Sequence, residues 1–283
     1  MHPTAAYRLN RLFKSTSGRL LDVAVDHGFF GEPSFLSGIE DMPRVIDTLV
    51  AAGPDAIQLT PGLAPLLQER PGKERPALVL RVDVANVYGP ALDDYLYIRH
   101  FPNAVELAVR LDAACLVVNL LQLPGRPDIR ERCIESIMSV ERECAALGMP
   151  LMIEPLVMQP NEAAGGYMVD GDTTEVITLV RQARELGADL IKADPTDVID
   201  DYHRVVEAAS GVPVLVRGGG RVGDLELLTR TKALLDQGAA GIVYGRNIIQ
   251  HQRPAAIVRA LLAMLHENAS VDAAASIVGS MGA

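Results

Sequence analysis

The chain has 283 residues, 49% hydrophobic and 22% charged, which is long enough to bury a sizeable core and too apolar for intrinsic disorder. Its 26 Lys and Arg stand against 36 Asp and Glu, a formal charge of −10, so it lacks the cation excess that general nucleic-acid or membrane-surface binding requires. Trp is absent, and five Phe and seven Tyr offer few stacking platforms for single-stranded nucleic acid.

The N-terminal stretch 1–17 carries no apolar core of a secretory signal, and no apolar run approaches the ~20 residues of a membrane-spanning helix. Cys115, Cys133 and Cys144 are odd in number and form no CxxC pair. They read as reduced thiols of a cytosolic protein, with neither a disulfide framework nor a zinc site.

Short apolar runs then alternate with amphipathic stretches. LLDVAV (20–25) precedes a helical pattern at 42–53, and DAIQL (55–59), ALVLR (77–81) and ACLVVNL (114–120) follow. A second helical pattern covers 130–148, then PLMIE (150–154). Helical patterns at 173–187, 198–211 and 224–238 separate ADLIK (188–192), VPVLV (212–216) and AGIVY (240–244), and a last one covers 253–268. The runs are mostly continuous rather than alternating, as in strands buried on both faces of a parallel sheet. Several helical patterns stop at Gly just before the next run.

Eight β–α units in about 250 residues predict a single-domain (β/α)8 TIM barrel over 1–283, with 1–17 as an N-terminal extension and 270–283 as a C-terminal tail. A doubly wound open sheet is the alternative. The tail packs under the barrel, against a second subunit, or not at all. The irregular stretch VMQPNEAAGGYMVDGD (157–172), after the fifth strand, reads as an active-site loop or a surface connection.

Catalytic groups of this fold sit at the C-terminal ends of the strands. There the sequence places Asp26-His27-Gly28, Thr60, Arg81-Val82-Asp83, Asn119 with Gln122 beyond, Glu154, Lys192 with Asp194, Arg217 before Gly218-Gly219-Gly220, and Gly245-Arg246-Asn247. Lys192 closes an apolar strand and points into the barrel mouth. A lysine there either pairs with a carboxylate or loses its proton and becomes a Schiff-base nucleophile, and position alone leaves both open. Asp26 is then a proton relay or a counter-ion. His27 assists the chemistry, binds a substrate hydroxyl, or is structural. Glu154 is a second acid/base or the partner of Lys192. Arg81 and Asp83 pair with each other or hold substrate hydroxyls.

Gly218, Gly219 and Gly220 after the seventh strand, with Gly245 and Arg246 after the eighth, fit a phosphate site at the two loops where TIM barrels commonly build one. Gly218, Gly220 and Gly223 also satisfy G-x-G-x-x-G, but in the seventh unit, and the acidic residue at the matching distance, Asp236, falls late in a helix. A dinucleotide site is therefore rejected. A metal site from Asp26, His27 and Glu154 has no spaced ligand motif behind it. The expectation is that no metal or cofactor is used.

Four segments, VAVDHGFF, LIKADP, VLVRGGG and GIVYGRNIIQHQRP, resemble the archaeal-type class I aldolase family, over roughly residues 18–268. That family includes fructose-bisphosphate aldolases, aminodideoxyheptulosonate synthases and the autoinducer-2 thiolase. The resemblance implies that Lys192 is the Schiff-base lysine, that Asp26 is its strand-1 aspartate, and that Gly218, Gly219, Gly245 and Arg246 form the phosphate loops. It also implies a homo-oligomeric ring, often a decamer. Two departures stand out. The tyrosine proton donor that fructose-bisphosphate aldolases carry after strand 5 is missing from IEPLVM, where Glu154, Pro155 and Leu156 stand, so Glu154 becomes the candidate general acid. A small hydroxyl residue of the phosphate loop is Arg217 here. The substrate is accordingly left open between fructose bisphosphate, a related phosphorylated ketose and a branched or modified sugar acid.

The expected function is a cytosolic, metal-independent class I aldolase acting on a small sugar phosphate, with no nucleic-acid or membrane partner. The alternatives are a transaldolase or acyl-transfer enzyme on the same lysine, a metal-dependent lyase or isomerase, and a non-catalytic sugar-phosphate-binding protein.

Overall fold

The computed structural model describes residues 5–72, 75–89 and 95–280. Eight parallel strands close into a barrel: β1 (Leu20–Ala24), β2 (Ala56–Leu59), β3 (Ala77–Arg81), β6 (Cys115–Gln122), β7 (Leu151–Pro160), β9 (Leu190–Ala193), β10 (Val214–Arg217) and β11 (Gly241–Tyr244). Each pairs with the next, and β11 returns to β1, with Leu20 opposite Gly241 and Asp22 opposite Val243. The predicted (β/α)8 barrel is therefore the fold, and the open sheet is not.

The strands are continuous apolar runs because both faces are covered. Leu21, Val23, Ile57, Leu78, Leu80, Ile153, Ile191 and Val216 face the helices. Leu20, Ala24, Ala56, Val79, Val117, Met152, Leu190, Leu215 and Val243 fill the interior. Leu9, Leu12 and Phe13, in and just after α1 (Ala6–Leu9), join that interior cluster at the strand starts. By the period of two, Asp22, Gln58, Arg81, Asn119, Glu154, Lys192 and Arg217 fall on the inward parity.

Helix starts and stops follow local chemistry. Asp41 caps α2 (Met42–Ala52) by accepting from Arg44 N–H, and Gly53 ends it with φ of 76°. Asp172 caps α6 (Thr173–Glu185) through Glu175 N–H. Pro127 opens α5 (Pro127–Leu147) and left-handed Gly148 closes it. The remaining covering helices are α7 (Tyr202–Ala208), α8 (Asp224–Asp236) and α10 (Pro254–His266). Among the described residues no helix is long and apolar enough to cross a membrane.

The structure adds elements that the periodicity did not reveal. Short helices α3 (Pro65–Gln68), α4 (Ala104–Arg110) and α9 (Arg246–Ile249) are too brief to show an amphipathic repeat. A hairpin of β4 (Asp83–Ala85) and β5 (Ile98–His100) follows β3. The stretch 157–172, expected to be a loop, is largely a second hairpin: β7 runs on to Pro160 and pairs antiparallel with β8 (Tyr167–Val169). Its turn closes through Asn161 N–H to Gly166 O, with Gly165 and Gly166 at positive φ. The tail is also ordered. Its helix α11 (Val271–Ser280) lies on α8 and α10 and buries Ala274 and Val278.

Candidate active site

At the C-terminal mouth the inward residues of six strands and the loops after them meet. Lys192 is 4% exposed, and its Nζ lies 3.1 Å from Glu154 Oε2. The Arg81 guanidinium, 1% exposed, joins three carboxylates: Asp26 at 2.9 Å, Asp83 at 3.1 Å, and Glu154 in a close contact. Arg217 reaches Glu154 Oε1 at 2.9 Å and Asp194 at 3.0 Å. Removing this many charges from water costs more than apolar side chains of the same volume would. Such a cluster at a barrel mouth marks function rather than stability.

Electrostatics fix the protonation states. Burial alone would raise the Glu154 pKa, but Lys192, Arg81 and Arg217 outweigh it and hold the carboxyl well below the usual range. Asp26 behaves alike: burial raises its pKa, while Arg81, Lys192 and His27 bring the net below the ordinary value. Asp83 and Asp194 are shifted up by burial, against the pull of Arg81 and Arg217 respectively. Burial, with Lys192, Arg246 and Arg217 adding to it against Asp26, lowers His27 to about 4, so its imidazole is neutral near pH 7. The ring meets Phe35 edge-on at 5.9 Å, and a Cβ on Gly245 would collide with it, so only glycine fits there.

A cavity of about 40 Å³ is lined by Asp26, His27, Arg81, Glu154 and Lys192 on the strand side and by Phe30, Phe35, Tyr88, Arg217 and Arg246 from the loops. A second cavity, of about 400 Å³, shares Phe35, Tyr88, Arg217, Gly219 and Arg246 with it. A comparable space of about 430 Å³ lies on the outer surface against α2, among Glu40, Arg44 and His251, and has none of the strand-end groups. Size does not decide between them; the ionised cluster does.

Several expectations are corrected. Glu154 is not placed as a resting general acid, because three cations keep it deprotonated. Gly218 does not offer its N–H to an anion; that N–H donates to Val243 O, and its Cα packs on Tyr244. Gly219, at φ of 65°, and exposed Gly220 line the larger cavity. Asp83 and Asn119 sit behind Arg81, where Asp83 accepts from Asn119 N–H at 2.6 Å, and neither lines a cavity wall beside Lys192. Asp194 faces the far side of Arg217, on a neighbouring groove with Thr196. Gln122 lies outside, bonded to Glu175 and Arg130. Asn247 braces the loop, donating to Gly218 O and Gly220 O. Among the described residues no three His, Cys, Asp or Glu side chains are grouped to hold an ion.

Three residues escaped the sequence reading. Gln58 donates to Asp26 at 2.5 Å and accepts from Lys192 Nζ at 3.5 Å, linking the two. Its signal was a lone amide inside DAIQL. Asp22, inside LLDVAV, is fully buried with neither carboxylate oxygen hydrogen-bonded, and burial, opposed by Lys192, raises its pKa to about 7. Tyr88, on the β4–β5 connection, sends its hydroxyl to within 3.3 Å of Arg217 Nη2.

A (β/α)8 barrel carrying a buried lysine and an ionised cluster at its C-terminal mouth is a barrel enzyme. A model of the DeoC/LacD family aldolases matches residues 20–251. The chain is 31% identical over 276 residues to an uncharacterised aldolase of Saccharolobus solfataricus, covering 96% of this chain and 97% of that one. It is 31% identical over 274 residues to 2-amino-3,7-dideoxy-D-threo-hept-6-ulosonate synthase of Halobacterium salinarum, covering 96% and 95%. A solved Schiff-base-forming fructose-1,6-bisphosphate aldolase superposes with a TM-score of 0.75 at 24% identity, over 92% of this chain and 99% of that one, a likeness of fold. The chain belongs to the DeoC/LacD aldolase family and is a lyase of the aldolase type.

Proposed function

We propose that the protein is a class I aldolase that makes or breaks a C–C bond in a phosphorylated ketose or a related sugar, with Lys192 as the Schiff-base nucleophile. The observation that carries this reading is the placement of Lys192 Nζ, buried at the cavity floor and 3.1 Å from an ionised Glu154. The free amine of Lys192 attacks the ketone carbon, the carbinolamine loses water, and a protonated imine remains where the ammonium stood. Glu154 then faces that cation across the same distance and stabilises it without taking part as an acid. The imine draws the electron pair of the breaking C–C bond into an enamine.

Asp26, ionised and tied to Lys192 through Gln58, accepts and returns protons at the carbinolamine. Neutral His27 contributes a hydrogen bond to a substrate hydroxyl. Arg246, stacked 4.7 Å over Phe35 beside Gly219 and Gly245, holds the substrate phosphate with the amides of those loops. Free, buried Cys115, Cys133 and Cys144 support a reducing cytosolic setting, and the family resemblance supports a homo-oligomer.

The test is borohydride reduction in the presence of ketose phosphates, followed by intact mass and peptide mapping. A covalent adduct on Lys192, absent from Lys192→Met, is the expected result. A wild-type protein that forms no adduct with any ketose phosphate, and loses turnover to a chelator, would overturn the lysine mechanism.

A further inference from the structure

We infer that Tyr88 is the group that exchanges a proton with the substrate oxygen at the C–C bond being made or broken. The inference rests on the aldolase reading above and fills the role that the ionised state of Glu154 leaves vacant.

The Tyr88 hydroxyl is the neutral proton carrier in the right place. The side chain lines both the Lys192 cavity and the larger space beside it, at the boundary a substrate must cross. Its ring is fixed edge-on between Phe30 and Phe35, each with centroids 5.2 Å away. Its backbone is pinned on both sides: Tyr88 bridges Gly166 of the β7–β8 turn, and Tyr167 N–H donates to Val87 O at 2.9 Å. A Cβ at Gly166, which has φ of 66°, would run into the Gly89 carbonyl, so this approach depends on glycine. The result is a phenol held rigidly in the wall of the cavity that Lys192 also lines, as a reacting group requires.

Arg217 completes the device. It grips Glu154 and Asp194 and also donates through Nη2 to the phenol oxygen at 3.3 Å. In C–C bond formation the enamine carbon attacks the aldehyde carbon and the enamine nitrogen becomes the protonated imine. The aldehyde oxygen takes the phenolic proton of Tyr88, and Arg217 stabilises the phenolate left behind. Water at the open mouth restores that proton. Cleavage reverses each step: the phenolate takes the hydroxyl proton as the C–C bond breaks and its electron pair enters the imine.

Tyr88→Phe keeps the packing between Phe30 and Phe35 and removes only the hydroxyl. Wild type and Y88F are each incubated with fructose 1,6-bisphosphate and with fructose 1-phosphate, reduced with borohydride, and weighed intact. The expected outcome is a three-carbon remnant on Lys192 of wild type, the uncleaved ketose on Lys192 of Y88F, and turnover lower in Y88F by about 10²- to 10⁴-fold. A Y88F protein that leaves the three-carbon remnant at the wild-type rate overturns the inference. So does a folded Y88F that forms no adduct, because the hydroxyl would then serve imine formation instead. Absence of an adduct on wild type with every ketose phosphate tried, together with turnover lost to a chelator, removes the underlying lysine chemistry and Tyr88 with it, a failure distinct from the other two.

Discussion

Lys192 meets Glu154 directly, with Nζ and Oε2 3.1 Å apart, and reaches Asp26 only through the Gln58 amide. The carboxylate from β7, not the one that follows β1, is therefore the counter-ion of Lys192. Arg81 and Arg217 hold that carboxylate from its other sides, so its charge is available to whichever cation occupies the lysine position, ammonium or iminium.

Replacing Glu154 by Gln tests this arrangement. The variant leaves Lys192 buried beside an amide, while Arg81 keeps Asp26 and Asp83 and Arg217 keeps Asp194. Breaking a buried ion pair on one side costs about 3–5 kcal/mol, so urea unfolding should show a loss of that order together with slower adduct formation. The double variant E154Q/K192M removes the stranded cation and should be more stable than E154Q alone. Equal stabilities of the two would show that Lys192 is not what Glu154 neutralises.

How far the sequence reached follows from the same geometry. Eight apolar runs betrayed the barrel because parallel strands are covered on both faces, and strand ends pointed to Asp26, Arg81, Glu154, Lys192 and Arg217 because parity and register carry inward residues to one mouth. Gln58 and Asp22 were visible as polar interruptions of apolar strands, yet nothing local says that one is bonded and the other is not. Tyr88 was beyond reach. Its position depends on the pairing of two distant segments through Gly166, and a three-residue strand such as β8 leaves no period to read. The protonation state of Glu154 was equally hidden, since it is set by cations from β3, β9 and β10.

Neutral His27 gives a distinctive pH dependence. With its pKa lowered to about 4 by burial, it does not titrate across pH 5.5 to 8.5. The pH–rate profile of turnover should therefore show no inflection near 6.5 that belongs to His27, and His27→Asn should leave its shape unchanged while lowering the rate. Because the folded pKa lies below the unfolded one, the neutral imidazole contributes stability that is present above about 6.5 and lost as pH falls towards 4. An acidic limb near 6.5 that disappears in H27N would contradict the neutral assignment.

Arg246 should show itself by anion binding. Among the described residues its guanidinium forms no ion pair; it stacks on Phe35 and donates to Gly219 O at 3.3 Å. Burial, with the Arg217 charge beside it, pushes its pKa below the ordinary arginine value, so a bound anion relieves the strain of two guanidinium groups near one another. Inorganic phosphate at millimolar concentration should raise the thermal midpoint of wild type by a few degrees, more than an equal ionic strength of chloride does. Arg246→Ala should lose at least half of that rise. The same rise in R246A would place the anion elsewhere.

Asp22 supplies the opposite pH dependence. Its carboxyl is fully buried, its oxygens lack hydrogen-bond partners, and burial raises its pKa from 3.8 to about 7 against the attraction of Lys192. For a carboxyl whose folded pKa exceeds its unfolded one, the stabilising form is the protonated one. That contribution is complete below about pH 4 and is lost as pH rises through 7. At 1.36 kcal/mol per pH unit it amounts to roughly 4 kcal/mol. Asp22→Asn cannot ionise, and any fixed difference in packing or hydrogen bonding is the same at every pH. The unfolding free energy of D22N minus that of wild type should therefore grow by about 3 kcal/mol between pH 4.5 and pH 8, the first part of the loss having occurred below pH 4.5. Parallel stability curves for the two proteins would mean that Asp22 is already ionised at pH 4.5 in the folded barrel, compensated by Lys192 across the interior.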